Sequence, residues 1–358
     1  MRYAFILNPA AQSGRAGRRR RALEAALRAK DVDFTITETE APGHAERLAR
    51  AVAQSAEVIV AVGGDGTNQE VARGVHGTGA TMGVLPLGTG NDFAHAVGMP
   101  DDLQAAVSAL LTADAVPVDL GRVRWQERAD GGDLVTHEAF FTNCIGAGFD
   151  ALAAVWARRY KRLGGRTAYV AAVLRALWQW RQPDMHVEIR ASMTTDGRRS
   201  AAAEVAVSAA ADQVNGPPST VHRAPSTVDP IGLAPDEGTL LHEGGLFLVE
   251  LCNGFSVGGG LLLTPDAQVD DGLFDLCLVE HVTTRRALRL LPKTFSGGHI
   301  GEPEVVMDRV RRLTVRSSVP LPMQADGEVL SNGAHAFDVA VLPGALSFRA
   351  PKLRHSSA

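Results

Sequence analysis

The residues best suited to chemistry form a glycine-rich turn around one carboxylate, Gly63-Gly64-Asp65-Gly66-Thr67. An apolar, β-branched run at 58–62 precedes this turn, and a run with helical apolar spacing follows it from Asn68. A strand, a glycine turn and a helix N-terminus together form an anion site, because free N–H groups and the positive end of the helix dipole face the ligand. Asp65 would repel a phosphate unless a cation lay between them, so the turn predicts Mg²⁺ held against a nucleotide. The alternative is a tight βα turn in which Asp65 only caps the helix.

A second glycine turn follows one βα unit later, in the segment Leu85-Pro86-Leu87-Gly88-Thr89-Gly90-Asn91-Asp92-Phe93-Ala94. Both turns come after apolar strands, so we expect them side by side at the carboxyl edge of one parallel sheet, where open α/β sheets bind ligands. The first turn is neither a Walker loop, because no Gly-Lys-Ser/Thr follows it, nor a Gly-x-Gly-x-x-Gly fingerprint.

The two turns together resemble the catalytic domain of the diacylglycerol kinase and sphingosine kinase family. In layout the chain is most similar to the bacterial soluble lipid kinases of the YegS-like type. The first turn alone is shared with NAD kinases and, in variant form, with phosphofructokinases. The resemblance implies a parallel-sheet α/β N-terminal domain of the phosphofructokinase and NAD kinase kind, followed by a mainly-β sandwich domain.

The resemblance also implies an ATP site built from the loops at the sheet edge. The Asn-Pro loop after the first strand and the end of the second strand contribute in the family, in addition to the two glycine turns. The predicted nucleotide-binding residues are Asn8, Ser13, Gly14, Thr39, Gly63, Gly64, Asp65, Gly66, Thr67, Asn68, Gln69, Glu70, Gly88, Thr89, Gly90, Asn91 and Asp92.

Two acidic turns in the C-terminal half complete the resemblance. The family places an Asp-Gly-Glu turn where this chain has Asp326-Gly327-Glu328, and takes from it the general base for the acceptor hydroxyl. We favour Glu328 as the base, with Asp326 as the alternative and Asp65 as the catalytic Mg²⁺ ligand. The second turn implies a structural Mg²⁺ site with Gln268, Asp271 and Leu273 as ligands; an Asp-Gly turn without metal is the alternative.

Length and composition limit the class of protein. A chain of 358 residues favours two domains, and a net charge of −4 gives no basic field for nucleic acid. The N-terminus lacks the apolar run of a signal peptide, and no segment is long and apolar enough to span a membrane. The three cysteines stand in apolar strands, which predicts reduced core residues and a cytoplasmic protein.

The chain divides by its pattern into a nucleotide-binding domain at 1–118 and a lipid-substrate domain at 119–350. A Pro-, Ser- and Gly-bearing stretch at 212–243 is predicted to be a mobile insertion, and 351–358 is a tail. A helical stretch at 158–181 is basic, carries tryptophans and has no acid. It is typical either of a helix lying on an anionic membrane or of a core helix with a basic solvent face.

We therefore predict an ATP- and Mg²⁺-dependent kinase of phospholipid metabolism, in peripheral contact with the membrane that holds its lipid. Diacylglycerol, giving phosphatidic acid, is the first acceptor to consider, and no motif distinguishes it from a sphingoid base, ceramide or phosphatidylglycerol. A NAD kinase and a nucleotide-binding regulator without turnover are the alternatives. The sequence is compatible with a homodimer but does not fix the oligomeric state.

Overall fold

A computed structural model describes residues 1–128, 133–160, 165–190 and 239–351, together with Leu353. Of the predicted insertion at 212–243, residues 212–238 lie outside the described residues. Its last five residues were assigned wrongly, because a strand begins at Thr239 and pairs with Ile189 of the preceding strand. Of the predicted tail, only residues 351 and 353 are described.

The N-terminal part alternates strands and helices. The strands are β1 (Arg2–Leu7), β2 (Asp33–Glu38), β3 (Val58–Gly63) and β4 (Thr81–Pro86). The helices are α1 (Ala11–Arg28), α2 (His44–Val52), α3 (Asp65–Val75), α4 (Asp92–Ala96) and α5 (Leu103–Thr112). The four strands pair in parallel in the order β4-β3-β1-β2, so their carboxyl ends meet at one edge. β3 is buried along its whole length, as a strand covered by helices on both faces must be.

The rest of the chain is mainly antiparallel. Its strands are β5 (Ala115–Arg128), β6 (Leu134–Phe141), β7 (Cys144–Gly148), β8 (Asp184–Arg190), β9 (Thr239–Cys252), β10 (Phe274–Glu280), β11 (Val305–Val310), β12 (Arg312–Ala325) and β13 (Glu328–Arg349). Its helices are α6 (Phe149–Arg159), α7 (Gly165–Gln179) and α8 (Thr284–Leu290), and a 3₁₀ helix follows at Leu291–Ser296. The predicted helical stretch at 158–181 thus falls on two helices, since α6 already ends at Arg159.

The last strand joins the two parts. β13 pairs antiparallel with β5 and β12, and its end pairs in parallel with β4 through Ser347 opposite Thr81. Leu346 and Phe348 therefore lie in the core of the N-terminal part, which is formed by the apolar faces of β1, β3, β4 and their helices. Among the described residues, the thirteen strands form one continuous hydrogen-bonded sheet.

The described C-terminal part contains two larger cores and a small buried cluster around Cys144 and Cys252. One fills the space between the antiparallel strands and contains Phe141, Phe274 and Phe337. The other lies beneath α6, α7 and α8. The three cysteines are free and buried, as predicted. Among the described residues, no helix combines the length and the apolar character needed to cross a bilayer.

Candidate active site

The first glycine turn connects β3 to α3 through a single residue, Gly64. Its carbonyl accepts the N–H groups of Thr67 (2.9 Å) and Asn68 (3.0 Å), which closes the first turn of α3. A Cβ on Gly63 would lie 2.5 Å from Thr67 Oγ1, so no larger residue fits there without moving Thr67. The turn therefore needs its glycines, and it presents the N-terminus of an eleven-residue helix at the sheet edge.

The second glycine turn packs against the first, backbone to backbone. A Cβ on Gly88 would lie 2.3 Å from the Gly64 Cα. Asn91 has a left-handed φ of 57° and its Oδ1 accepts the Gly88 N–H at 2.8 Å, which fixes the turn. A Cβ on Gly90 would lie 3.1 Å from Asp65 Oδ2. The expectation that the two turns lie side by side is met.

The loop after β1 reaches the same place. Asn8 donates from Nδ2 to Thr67 Oγ1 (3.1 Å), and Gln12 donates from Nε2 to the Gly88 carbonyl (2.5 Å). Thr39, at the end of β2, donates its N–H to the Leu7 carbonyl at 2.9 Å. Gly14 lies in the first turns of α1 with a φ of 85°. The Ser13 side chain is outside the described residues.

Three neighbouring side chains of α3 differ in their surroundings. Asn68 and Gln69 are fully buried, and among the described residues none of their four side-chain amide atoms has a hydrogen-bond partner. Such atoms are rare, because an unpaired buried amide costs free energy. Glu70 instead accepts the N–H groups of Gly43 (2.8 Å) and Ala45 (3.0 Å) at the start of α2. Both Glu70 oxygens thus stabilise the end of a helix, which does not favour its predicted contact with the nucleotide.

The carboxylates of Asp65 and Asp92 also differ in the hydrogen bonds that they accept. Burial, and after it the nearby Asp92 charge, raise the pKa of Asp65 to about 6. Asp65 accepts one N–H, from Phe93 at 3.2 Å. Asp92 accepts Ser256 Oγ (2.8 Å) and the N–H groups of Gly259 (2.7 Å) and Gly260 (3.1 Å). Asp92 therefore connects the nucleotide loops to a glycine turn of the C-terminal part, whereas Asp65 keeps a carboxylate oxygen for a cation.

Asp326 is a buried carboxylate whose oxygens are all engaged. It accepts the Thr142 N–H (2.8 Å) and hydroxyl (3.0 Å), and the N–H groups of Asn143 and Cys144, both at 2.9 Å. Its φ of 49° is left-handed, as the sharp turn before Glu328 requires. Burial raises the pKa of Asp326, while these four hydrogen bonds favour its ionised form. Asp326 therefore stabilises the β6–β7 connection, and this geometry does not favour Asp326 as the base.

Glu328 faces the glycine turn from the C-terminal part. Its Oε1 lies 3.3 Å from the point where a Cβ on Gly66 would be, directly over the first turn of α3. Glu328 is partly exposed and belongs to the start of β13. Of the two predicted carboxylates on the acceptor side, Glu328 therefore lies next to the first glycine turn.

Gln324 connects the Glu328 turn to buried acids behind it. Its Oε1 accepts the Gly327 N–H at 2.9 Å, and its Nε2 donates to Asp150 Oδ2 and Glu250 Oε1, both at 3.0 Å. Gly146 leaves room for the two carboxyls, since a Cβ there would lie 2.2 Å from each of them. Burial and the Asp150 charge raise the pKa of Glu250 well above its usual range, which favours the protonated form of Glu250 in the fold.

The predicted structural metal site lies away from the glycine turns. Asp271 accepts the Leu273 N–H at 2.9 Å and forms an ion pair with Arg309 through its other oxygen. The neighbouring backbone is held by Asp119, which accepts the Gly272 N–H at 2.7 Å. The Arg309 guanidinium therefore neutralises one oxygen of Asp271, and the metal-binding role of Gln268, Asp271 and Leu273 stays a prediction.

The sequence analysis missed several residues of this site: Gln12, Asp150, Glu250 and Gln324. Glu250 carried a signal, because it is the one acid in the apolar run of β9 from Leu246 to Cys252. Gln324 stands two positions before Asp326, so strand alternation places the two side chains on the same face. Gln12 had no such signal, since its contact depends on a positive φ of 49°.

Comparison with known proteins agrees with this architecture. Residues 2–123 match the family described as "Diacylglycerol kinase catalytic domain", and residues 234–350 match the "YegS C-terminal NAD kinase beta sandwich-like domain". The second match agrees with the predicted C-terminal β-sandwich.

A full-length relative decides the family. A Pseudomonas aeruginosa PAO1 protein named "Probable lipid kinase YegS-like" is 31% identical over 335 residues, covering 92% of this chain and 89% of the relative. The chain belongs to the YegS-like lipid kinase family. A Mycobacterium tuberculosis H37Rv diacylglycerol kinase is 26% identical over 350 residues, covering 97% of this chain and 94% of the relative. A Bacillus subtilis diacylglycerol kinase is 27% identical over 295 residues, with 81% and 77% covered.

Solved structures share the fold of this lipid kinase. A crystal structure of a diacylglycerol kinase from Bacillus anthracis str. Sterne has a TM-score of 0.66 at 19% identity, covering 98% of this chain and 96% of that one. The family assignment confirms the predicted lipid kinase and does not favour the NAD kinase alternative.

Proposed function

We propose that this lipid kinase transfers the γ-phosphate of ATP to a lipid hydroxyl, with diacylglycerol as acceptor and phosphatidic acid as product. The observation that carries the proposal is the position of Glu328 Oε1 over the first turn of α3. That position lies between the nucleotide loops and the C-terminal part, where an acceptor hydroxyl must be.

The residues at the sheet edge fit a nucleotide. Gly64, Gly66, Gly88 and Gly90 allow the two turns, Asp65 and Glu328 to approach one another closely, and the N–H groups at the start of α3 favour a phosphate. The unpartnered amides of Asn68 and Gln69 supply donors and acceptors close by. Asp65 is the carboxylate suited to Mg²⁺, which when bound neutralises phosphate charge.

Glu328 orients the acceptor hydroxyl and takes its proton. The hydroxyl oxygen forms a bond to the γ-phosphorus while the bond to the β–γ bridging oxygen breaks, and ADP leaves. The main contribution of the Glu328 carboxylate is to direct the oxygen toward phosphorus, with proton transfer late. Gln324 and Asp326 hold the turn that carries Glu328.

The test is phosphoryl transfer from γ-labelled Mg-ATP to a panel of lipids in mixed micelles. The panel contains diacylglycerol, a sphingoid base, ceramide and phosphatidylglycerol, with NAD as a soluble control. We expect labelled phosphatidic acid, and loss of labelling in Asp65→Ala. Labelling of another lipid would replace the acceptor, and labelling of NAD alone would overturn the proposal. ATP binding in calorimetry without transfer to any acceptor would favour the regulator without turnover.

A further inference from the structure

A series of hydrogen bonds between buried polar groups crosses from the N-terminal part to the C-terminal part beside the candidate active site. The Asp92 carboxylate accepts the Ser256 hydroxyl at 2.8 Å, and the Ser256 carbonyl accepts Asn143 Nδ2 at 2.8 Å. The Asn143 N–H in turn donates to Asp326 Oδ1 at 2.9 Å. We call these four residues, Asp92, Ser256, Asn143 and Asp326, the polar link.

The polar link is shielded from water along its whole length. Asp92 is 5% exposed, Ser256 2%, Asn143 3% and Asp326 9%. Hydrogen bonds in such surroundings are stronger than in water, because little solvent competes for their donors and acceptors. The polar link therefore holds the segments that it joins at fixed distances from one another.

Each end of the polar link lies next to a residue with a proposed chemical role. At one end, Phe93, the residue after Asp92, donates its N–H to Asp65 Oδ1 at 3.2 Å. At the other end, Asp326 and Glu328 are the first and third residues of one sharp turn. The link thus connects the carboxylate suited to Mg²⁺ with the carboxylate on the acceptor side.

Asn143 lies in the middle of the polar link, and its side chain has little freedom. Its Oδ1 lies 2.2 Å from the point where a Cβ on Gly254 would be, so the side chain fits there only against a glycine. Among the described residues, this buried Oδ1 has no hydrogen-bond partner. Because an unpaired buried carbonyl costs free energy, the favourable contribution of this amide is the bond from its Nδ2 to Ser256.

We propose that Asn143 and Ser256 are positioning residues for phosphoryl transfer, which hold Glu328 at a fixed distance from the nucleotide loops. The inference rests on the proposed function, because it assigns to the polar link the alignment of the acceptor hydroxyl with the γ-phosphate. Both residues act through the two carboxylates at the ends of the link, Asp92 and Asp326. A misplacement of about 1 Å between reacting groups can cost about 10²-fold in rate, so a broken link lowers turnover.

A double-mutant cycle on the full chain tests whether the polar link acts through Glu328. Ser256→Ala removes the bond to Asp92 and leaves the Gly259 and Gly260 N–H groups on that carboxylate. With labelled Mg-ATP and diacylglycerol, we expect kcat to fall about tenfold while the KM for ATP stays within about twofold of wild type. In the Glu328→Gln background the same change should lower kcat less than about twofold, because no base is left to misplace. An equal fall in both backgrounds would indicate a merely structural role and overturn the proposal.

Hydrogen–deuterium exchange tests the polar link without an acceptor. In wild type, a non-hydrolysable ATP analogue with Mg²⁺ should slow exchange at the nucleotide loops, residues 63–68 and 88–93, and also at residues 326–328. In Ser256→Ala the loops should still be protected, whereas the protection at 326–328 should fall about tenfold. Ser317→Ala is the matched control, because the Ser317 hydroxyl donates to the Asp184 carbonyl (3.3 Å) in the same part, outside the link.

The outcomes of the exchange experiment separate this inference from the proposed function. Protection of the loops in wild type without protection at 326–328 would overturn the inference alone. Exchange at the loops that the analogue does not slow would contradict the proposed nucleotide site, and the inference would fall with it. Thermal unfolding checks that each variant is folded. If Ser256→Ala is not folded, Ser256→Cys keeps the volume with only a weak donor and should show the same losses.

Discussion

Asp326 and Glu328 are two residues apart, and their carboxylates have opposite surroundings. Asp326 is buried and accepts four hydrogen bonds, whereas Glu328 is partly exposed beside Gly66. A carboxylate with all its lone pairs engaged cannot accept a proton from a substrate without losing a bond. The two residues therefore separate into a structural and a chemical role.

We expect Glu328→Gln to lower kcat by about 10²–10⁴-fold while ATP binding is retained, because the amide keeps the shape but cannot take a proton. The measurement is steady-state kinetics on the lipid acceptor, with calorimetry for ATP. Wild-type turnover in this variant would exclude Glu328 as the base.

We expect Asp326→Asn to act on stability instead. Its amide N–H₂ would face backbone N–H groups that now donate to Asp326, so the free energy of unfolding should fall by on the order of 2–4 kcal/mol. Urea unfolding checks this, and Glu328→Gln, which should unfold near the wild-type midpoint, is the matched control. An Asp326→Asn protein of full stability and no turnover would reverse the two roles.

The sequence predicted the residue types of this site better than their contacts. The glycine turns, Asp65 and the Asp-Gly-Glu turn could all be recognised, because their local backbone demands leave a mark in the sequence. The structural roles of Glu70, Asp92 and Asp326 could not be recognised, because each carboxylate accepts N–H groups from segments that are distant in the sequence. A carboxylate that stabilises a loop and one that binds a ligand look alike in a sequence.

At the scale of elements, Gln324 links the end of β12 to α6 and β9 through one amide. We expect Gln324→Met, which keeps the volume and removes the hydrogen bonds, to lower kcat about tenfold or more with little change in the KM for ATP. The reason is that the Glu328 turn loses its support, while the nucleotide loops are untouched. The control is Gln54→Met on the surface; an equal loss of ATP affinity in Gln324→Met would argue for general unfolding.

The buried acid pair makes stability depend on pH. Because the folded protein holds a proton on Glu250 that the unfolded chain releases above its ordinary pKa near 4.5, the free energy of unfolding of wild type falls as pH rises beyond that value. Glu250→Gln cannot titrate, so its advantage over wild type should be small at about pH 5 and should reach about 1 kcal/mol or more at about pH 8.

The measurement is urea unfolding at several pH values, with Glu243→Gln on the exposed side of β9 as control. Asp150, Cys144, Cys252 and Gln324 are the polar groups that face Glu250. The thiols stay protonated, because the contact with Cys252 and then burial raise the pKa of Cys144, and burial raises the pKa of Cys252. A stability difference that does not change with pH would mean that Glu250 is ionised in the fold.

Helices and strands could be predicted where the apolar periodicity is strong. The continuity of a strand was missed where its pairing is interrupted by a bulge. The sequence pattern alone predicts two separate strands here, at 336–341 and at 346–349. The structure has one strand, β13, whose pairing with β5 shifts register between Leu342 and Leu346. Such a bulge lets a strand bend and continue, and only the partner strand reveals it.

At the scale of the whole molecule, β13 belongs to both cores. Phe337 lies in the antiparallel core, and Phe348 lies in the N-terminal core with its ring 5.5 Å from that of Phe93. The predicted boundary at residue 118 therefore describes the nucleotide-binding loops well, but the N-terminal core also contains residues from the end of the chain.

We expect Phe348→Ala to lower the free energy of unfolding by about 3–5 kcal/mol, because it opens a cavity in the N-terminal core far from the mainly-β part to which its strand belongs. Urea unfolding followed by two probes, one in each part, checks this. The exposed Phe295→Ala is the control. Loss confined to the N-terminal probe would show that the two parts unfold independently.

Synthesis of this chain on the ribosome is constrained by the same strand. A growing chain presents its N-terminal residues first, and a domain usually folds when its last residue has emerged. Here β4 pairs with Ser347 and Phe348, so the nucleotide-binding part lacks a neighbouring strand until those residues have emerged. The edge of β4 stays unpaired during that interval, and an unpaired strand edge is prone to aggregation.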